Sequence, residues 1–204
     1  MPQINFHNID CMEFMKDIPD KHYQLGIVDP DYGLDSKISC GGTWAAKYKK
    51  GQGNLGGIPN ENYFKELFRV CENYIIWGGN YFSNLIPASR CFIVWRKIQM
   101  LGMHTMADCE LALTSFDRNA KIFDTNTSRN RIHITQKPIE LYRLILQNYA
   151  KPNDKIIDTH FGSGSIAIAC HMEGFDLDCC EIDLEYYNAA IKRYNLVTSQ
   201  LKLF

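Results

Sequence analysis

The sequence predicts an α/β fold, a doubly wound and mostly parallel sheet of about seven strands covered by helices on both faces. Short apolar runs alternate with helically spaced stripes, no internal repeat or low-complexity tract interrupts the alternation, and turns rich in Gly, Pro and Asp close the apolar runs. At 204 residues the chain suits one full-sized core. A single domain over residues 1–204 is expected, with insertions at about 36–60 and 117–134.

The elements follow in chain order. Ile4 to Asn8 reads as a short strand. Cys11, Phe14, Met15 and Ile18 make one stripe of an amphipathic helix, with Asp10 placed to cap it and Glu13 to complete the capping box. Leu25 to Val28 is a buried strand running into the turn Asp29-Pro30-Asp31-Tyr32-Gly33. Phe64, Leu67, Phe68 and Cys71 repeat the helical spacing, and Tyr74 to Trp77 is a strand ending at Gly78-Gly79. Cys91 to Trp95 and Cys109 to Phe116 read as further strands, followed by a polar stretch from Asp117 to Gln136. Pro138 suits the first turn of a helix whose apolar face includes Leu141, Leu144, Ile145 and Tyr149. Ile156 to Asp158 is a strand entering the turn Gly162-Ser163-Gly164, and a small-residue helix follows from Ser165 to Met172. Asp176 to Glu181 is the last strand, and Leu184, Tyr187, Ile191 and Tyr194 stripe the terminal helix.

Composition narrows the function classes. The chain is 46% hydrophobic and 22% charged, near the globular average. No apolar run approaches the roughly 18 residues of a membrane span, and Met1 to Asp10 lacks a signal-peptide pattern, so a soluble cytoplasmic protein with no membrane partner is expected. The eight cysteines include no C-x-x-C pair, which argues against zinc or a disulfide framework and leaves no metal site expected. A net charge of −1 disfavours nonspecific coating of nucleic acid. Positive charge nevertheless gathers in two segments poor in periodicity. One holds Lys37, Lys47, Lys49 and Lys50 between Ser36 and Asn60, and the other holds Lys121, Arg129 and Arg131 between Arg118 and Lys137. Either segment taken alone also suits a solvated face.

Two turns carry the chemistry. The glycine turn after Ile156 to Asp158 lets backbone approach a ligand at the carboxyl edge of a sheet. It lacks the third glycine of a dinucleotide cradle, which disfavours a nicotinamide dehydrogenase. Glu181, at the end of the next strand, lies near the offset at which a carboxylate accepts hydrogen bonds from ribose hydroxyls. A ribose acid without a pyrophosphate cradle suits a nucleoside such as S-adenosylmethionine, although Glu181 also reads as an ordinary strand-end acid. Asp29-Pro30-Asp31-Tyr32 ends a buried strand, where catalytic groups collect, and it is equally a plain turn signature.

The catalytic reading starts from an exocyclic amine on a base, whose lone pair is delocalised into the ring. Two acceptors, the Asp29 carboxylate and the Pro30 carbonyl, can localise that pair towards an incoming methyl. Tyr32 offers a flat face for a base taken out of the duplex, and such stacking is worth about 1–3 kcal/mol per base. The remaining acceleration comes from holding the reacting atoms in line, with no metal required.

With these residues in hand, the chain resembles the beta-class amino-methyltransferases of DNA, in which the catalytic motif precedes the cofactor motif in a permuted order. Ile4 to Met15 is similar to their opening element, which implies that Asp10 contacts the cofactor adenine besides capping its helix. Asp29-Pro30-Asp31-Tyr32 resembles their D-P-P-Y signature, with Asp31 in place of the second proline. Thr135-Gln136-Lys137-Pro138 resembles the T-Q-K-P element before the helix that lines the methionine pocket. Asp158 through Ser165 resembles D-x-F-x-G-S-G with Thr159-His160 in its variable part, and Glu181 falls where the family places its ribose ligand. Trp77-Gly78-Gly79-Asn80-Tyr81-Phe82 and Ala107-Asp108-Cys109-Glu110 are similar to stretches of small phage-type members.

The resemblance implies a class I, Rossmann-like methyltransferase fold and an S-adenosylmethionine-dependent enzyme acting on double-stranded DNA. Its catalytic residues are Asp29, Pro30 and Tyr32, and its cofactor residues are Asp10, Asp29, Lys137, Asp158, Phe161, Gly162, Ser163, Gly164 and Glu181. An aspartate rather than a serine leads the signature, which favours adenine N6 over cytosine N4. The Asp31 departure raises a second class, a noncatalytic binding subunit. DNA contacts are expected from Lys47, Lys49, Lys50, Arg129 and Arg131. So little chain remains for target recognition that a homodimer or a short degenerate site is the expected compensation.

Overall fold

The computed structural model describes residues 1–33, 58–98, 107–127, 131–133 and 135–201. Lys47, Lys49, Lys50 and Arg129 lie outside the described residues.

Among the described residues eight strands form one sheet. They are β1 (Ile4–His7), β2 (Tyr23–Val28), β3 (Cys71–Trp77), β4 (Phe92–Lys97), β5 (Cys109–Thr114), β6 (Lys121–Thr125), β7 (Lys155–Asp158) and β8 (Asp176–Cys180). Their spatial order is β1-β8-β7-β2-β3-β5-β4-β6. All described pairings are parallel except those of β5, which runs antiparallel to both β3 and β4. The eighth strand corrects the count of seven. It is β6, inside the segment read as an irregular polar insertion.

Among the described residues five α-helices cover the sheet: α1 (Cys11–Lys16), α2 (Glu61–Val70), α3 (Ile139–Tyr149), α4 (Ser165–Glu173) and α5 (Leu184–Leu201). Their starts follow from capping chemistry. Asp10 Oδ1 accepts the Met12 N–H at 2.7 Å, Asn60 accepts Tyr63 N–H at 3.2 Å, and Asp183 accepts Glu185 N–H at 2.8 Å. Pro138 stands one place before α3, at its N-cap in extended conformation, rather than in its first turn. α4 is bounded by glycines in the left-handed region, Gly164 before it and Gly174 after it.

The alternation of side chains along the central strands builds two cores. Leu25, Ile27, Ile75, Trp77 and Ile156 face one layer with Leu141, Ile145 and Ile166. Val28, Ile76 and Ile157 face the other with Met15, Phe64 and Leu67. Each such fully buried side chain contributes about 1.5–3 kcal/mol. Arg69, in the last turn of α2, ties that second layer together by donating to Met15 O and Ile18 O at 2.7 and 2.6 Å.

The topology locates the site. β2 and β7 are adjacent and parallel, paired at Leu25–Ile156 and Gly26–Ile157. The chain leaves β2 through α2 to β3 on one side, and leaves β7 through α4 to β8 on the other. Neighbouring strands whose connections diverge leave a crevice at their carboxyl ends, where open α/β sheets take ligands.

Candidate active site

The crevice is a cavity of about 340 Å³. Both turns singled out in the sequence open into it: Asp29, Pro30, Asp31 and Tyr32 after β2, and Phe161, Gly162 and Ser163 after β7. Asp10, Lys137 and Glu181 line it as well. Of the expected cofactor residues, Asp158 and Gly164 do not line it. Asp158 is buried in the sheet beneath the turn, and Gly164 stands behind, at the start of α4.

The glycine turn is built to present backbone. Gly162 has φ +50°, and a Cβ there meets nothing nearer than 3.8 Å, so the cavity side of the turn is open. Its N–H donates to Glu181 Oε2 at 2.8 Å, while Asp183 N–H donates to Glu181 Oε1 at 2.9 Å. Burial raises the Glu181 carboxyl, against these two donors that lower it. From behind, Arg193 on α5 donates to Ser163 O at 2.7 Å and to Ser165 Oγ at 3.0 Å.

The Asp29–Tyr32 turn is held more elaborately. Lys137, with only 1% of its side chain exposed, pairs with Asp29 Oδ2 and lies 3.2 Å from Glu110 Oε2. Lys97 in turn reaches Glu110 Oε1 at 2.6 Å. The Tyr32 hydroxyl donates to Asp29 Oδ1. Burial pushes the Asp29 carboxyl up, with Lys137 opposing it. Burial also works to lower Lys137, but Asp29 and Glu110 outweigh it and raise the ammonium. Glu110 is lowered because Lys137 and Lys97 overcome its burial.

Tyr32 is wedged rather than free. Its ring stacks on Tyr81 at 5.1 Å and 13°, and it lies directly against Gly78, which adopts φ +68° where any Cβ collides with the ring. Asp31 closes the turn by accepting Gly33 N–H at 2.9 Å, the fixation available when the second proline is absent.

Several lining residues escaped the sequence reading. Tyr63 on α2 shares a 2.6 Å hydrogen bond with Thr159 Oγ1, which in turn contacts His160 Nδ1 at 2.9 Å. Burial holds His160 and His133 down to about 4, so both are neutral at physiological pH. The Ala107–Glu110 and Trp77–Phe82 stretches carry no role in the sequence reading; behind the cavity wall they supply Glu110 beside Lys137, and Gly78 and Tyr81 against Tyr32. The available signal was an acid, Glu110, heading the apolar run Leu111-Ala112-Leu113. Arg131 is half-buried and does not line the cavity.

The charge balance of the lining restricts its ligand. Asp10, Asp29, Asp31 and Glu181 face one lysine, Lys137, and the two histidines that line it are neutral. Among the described residues nothing there cradles a pyrophosphate. The lining fits a nucleoside that carries positive charge. No cluster of metal-ligating side chains occurs among the described residues, and no described helix is long and apolar enough to cross a membrane.

Sheet, crevice and the two facing turns define a class I methyltransferase fold. Solved structures share it. The M1.HpyAVI–SAM complex matches with a TM-score of 0.61 at 21% identity, covering 95% of this chain and 100% of that one. PvuII DNA methyltransferase, described as cytosine-N4-specific, matches with a TM-score of 0.64 at 11% identity, over 94% of this chain and 86% of that one. The DNA methylase family model of the N6/N4 type matches residues 36–192, and the chain belongs to that family. A curated relative, the Type II methyltransferase M1.MboII of Moraxella bovis, is 37% identical over 71 residues, 35% of this chain. The matched stretch spans only 26% of that relative's length.

Proposed function

We propose that the protein is a beta-class DNA methyltransferase that transfers a methyl from S-adenosylmethionine to adenine N6 in double-stranded DNA. One observation carries the reading: the Asp29–Tyr32 turn and the Gly162–Glu181 pair open into the same acid-lined cavity. Glu181 would take the ribose hydroxyls, Asp10 the adenine, and the Gly162-Ser163 backbone would hold the cofactor from the glycine turn. Bound there, S-adenosylmethionine supplies an electrophilic methyl, whose transfer leaves a neutral thioether and releases one proton from the amine.

The chain's own task is to hold the amine. Asp29 accepts one N–H and the Pro30 carbonyl the other, which turns the nitrogen lone pair out of the ring. Asp29 is also the nearest base for the proton released. Tyr32, fixed by Gly78 and Tyr81, borders the place of the extruded base. The leading aspartate of Asp29-Pro30-Asp31-Tyr32 supports adenine N6 over cytosine N4. The segments 36–60 and 117–134 are the DNA-contacting insertions, the second built around β6.

Incubation with unmethylated genomic DNA and isotopically labelled cofactor tests the reading. Digestion to nucleosides is expected to yield labelled N6-methyladenine. Label found in N4-methylcytosine alone overturns the base assignment. Cofactor binding with no transfer, restored by Asp31→Pro, makes the protein a binding subunit instead.

A further inference from the structure

The amine-holding role of Asp29 meets an obstacle in the structure. Both carboxylate oxygens are taken, Oδ2 by the Lys137 ammonium and Oδ1 by the Tyr32 hydroxyl. Each oxygen keeps a further lone pair, but an ammonium drawing on the same carboxylate weakens it as an acceptor for an incoming N–H. The hydroxyl is neutral and can rotate, whereas the ammonium is sealed from water and cannot leave unpaired without a heavy desolvation cost.

A second resting place exists beside it. Glu110 Oε2 lies 3.2 Å from Lys137 Nζ, on the side away from the cavity, since Glu110 itself does not line it. Glu110 is held in place by Lys97, which reaches its other oxygen at 2.6 Å. The Trp77 ring flanks Nζ at 5.0 Å, a face along which a cation stays stabilised as it shifts. The sheet fixes this arrangement, because β5 pairs antiparallel with β3 at Trp77–Ala112 and brings Glu110 to the exit of the catalytic strand. The row Lys97, Glu110, Lys137, Asp29 alternates in sign, so the ammonium stays paired with an acid as it shifts towards Glu110.

We propose that Glu110 is a positioning residue: it receives the Lys137 ammonium while Asp29 holds the substrate amine, and thereby sets whether Asp29 is available. No covalent bond changes in this step, only the partner of one ammonium. The inference rests on the reading of Asp29 as the amine acceptor.

Glu110→Gln keeps shape and hydrogen-bonding capacity but removes the charge that draws Lys137 away. The expected result is a fall in kcat of at least about thirty-fold, the scale on which a buried ion loses its partner. KM for DNA and the calorimetric Kd for S-adenosylmethionine should stay within about threefold of wild type, since Glu110 touches neither. Glu110→Asp, which restores the charge, should recover much of the lost kcat. A wild-type kcat in Glu110→Gln overturns the proposal, as does a loss of cofactor affinity that parallels the loss of kcat, which marks a purely structural strut. Wild-type protein inert on every DNA instead refutes the methyltransferase reading itself, and this inference with it.

Discussion

Asp158 shows how burial at a single residue enters the energetics of the site. It lies beneath the glycine turn, where burial first, then the neighbouring charges of Asp29 and Glu181, raise its carboxyl from 3.8 to about 8, against the His160 N–H that donates to it at 2.9 Å. Between those two values the folded protein holds a proton that the unfolded chain releases. The stabilisation is therefore complete below 3.8 and is lost as pH rises through about 8. His133 and His160 act in the opposite sense. Burial lowers both from 6.5 to about 4, so the stability they contribute is present above 6.5 and is lost as pH falls through about 4. The Asp158 contribution is thus isolated between pH 6.5 and 8, where the histidines no longer titrate. Asp158→Asn should flatten the decline of the thermal midpoint across that window. An undiminished decline in the variant means that Asp158 is already ionised in the fold.

At the scale of elements, legibility follows from whether a segment declares its own environment. β2 and β7 were readable because each is a short buried run closed by a turn with Pro or Gly, and the acids behind those turns stood at interpretable places. β6 was not. It is an edge strand in which only Phe123 and Thr125 are buried, so Lys121-Ile122-Phe123-Asp124-Thr125 shows no more apolar character than a loop. Glu110 belongs to a third case: its strand was recognised, but the antiparallel insertion of β5 between β3 and β4, which carries it to Lys137, is a tertiary fact. Arg193 is similar, since nothing in the stripe of α5 announces that one of its polar residues reaches back to the glycine turn. That contact makes the terminal helix a support of the glycine turn. Two hydrogen bonds from a half-buried guanidinium, at 2.7 and 3.0 Å, hold Ser163 and Ser165 in register. Hydrogen bonds to a charged group contribute about 1.5–3 kcal/mol, so Arg193→Met should raise the Kd for S-adenosylmethionine roughly tenfold or more with the fold retained. Titration calorimetry reads this directly, and a Kd within twofold of wild type shows that the turn holds itself.

On the scale of the whole molecule, the cavity and its polymer make opposite electrostatic demands. Among the described residues the lining sets four acids against one lysine, which suits a positively charged nucleoside. With a net charge of −1 the chain has no general excess of cations to offer DNA, so phosphate contacts must come from local basic segments around the cavity mouth. The chain path supports such a segment. In the sequence, residues 34–57 follow Tyr32 and Gly33 and precede Ile58, Pro59 and Asn60, which line the cavity. Residues 34–57 include Lys37, Lys47, Lys49 and Lys50 without a compensating acid after Asp35. If Lys47, Lys49 and Lys50 each neutralise one phosphate, changing all three to alanine removes up to three released counterions. The slope of log K against log salt should then flatten by about 2.7 at roughly 0.9 per contact, while cofactor Kd stays unchanged because no basic residue of the segment is needed to hold the nucleoside. A filter-binding series from low to physiological salt distinguishes the outcomes: weaker binding with a shallower slope places the segment on the DNA backbone, and an unaltered slope removes it from the interface.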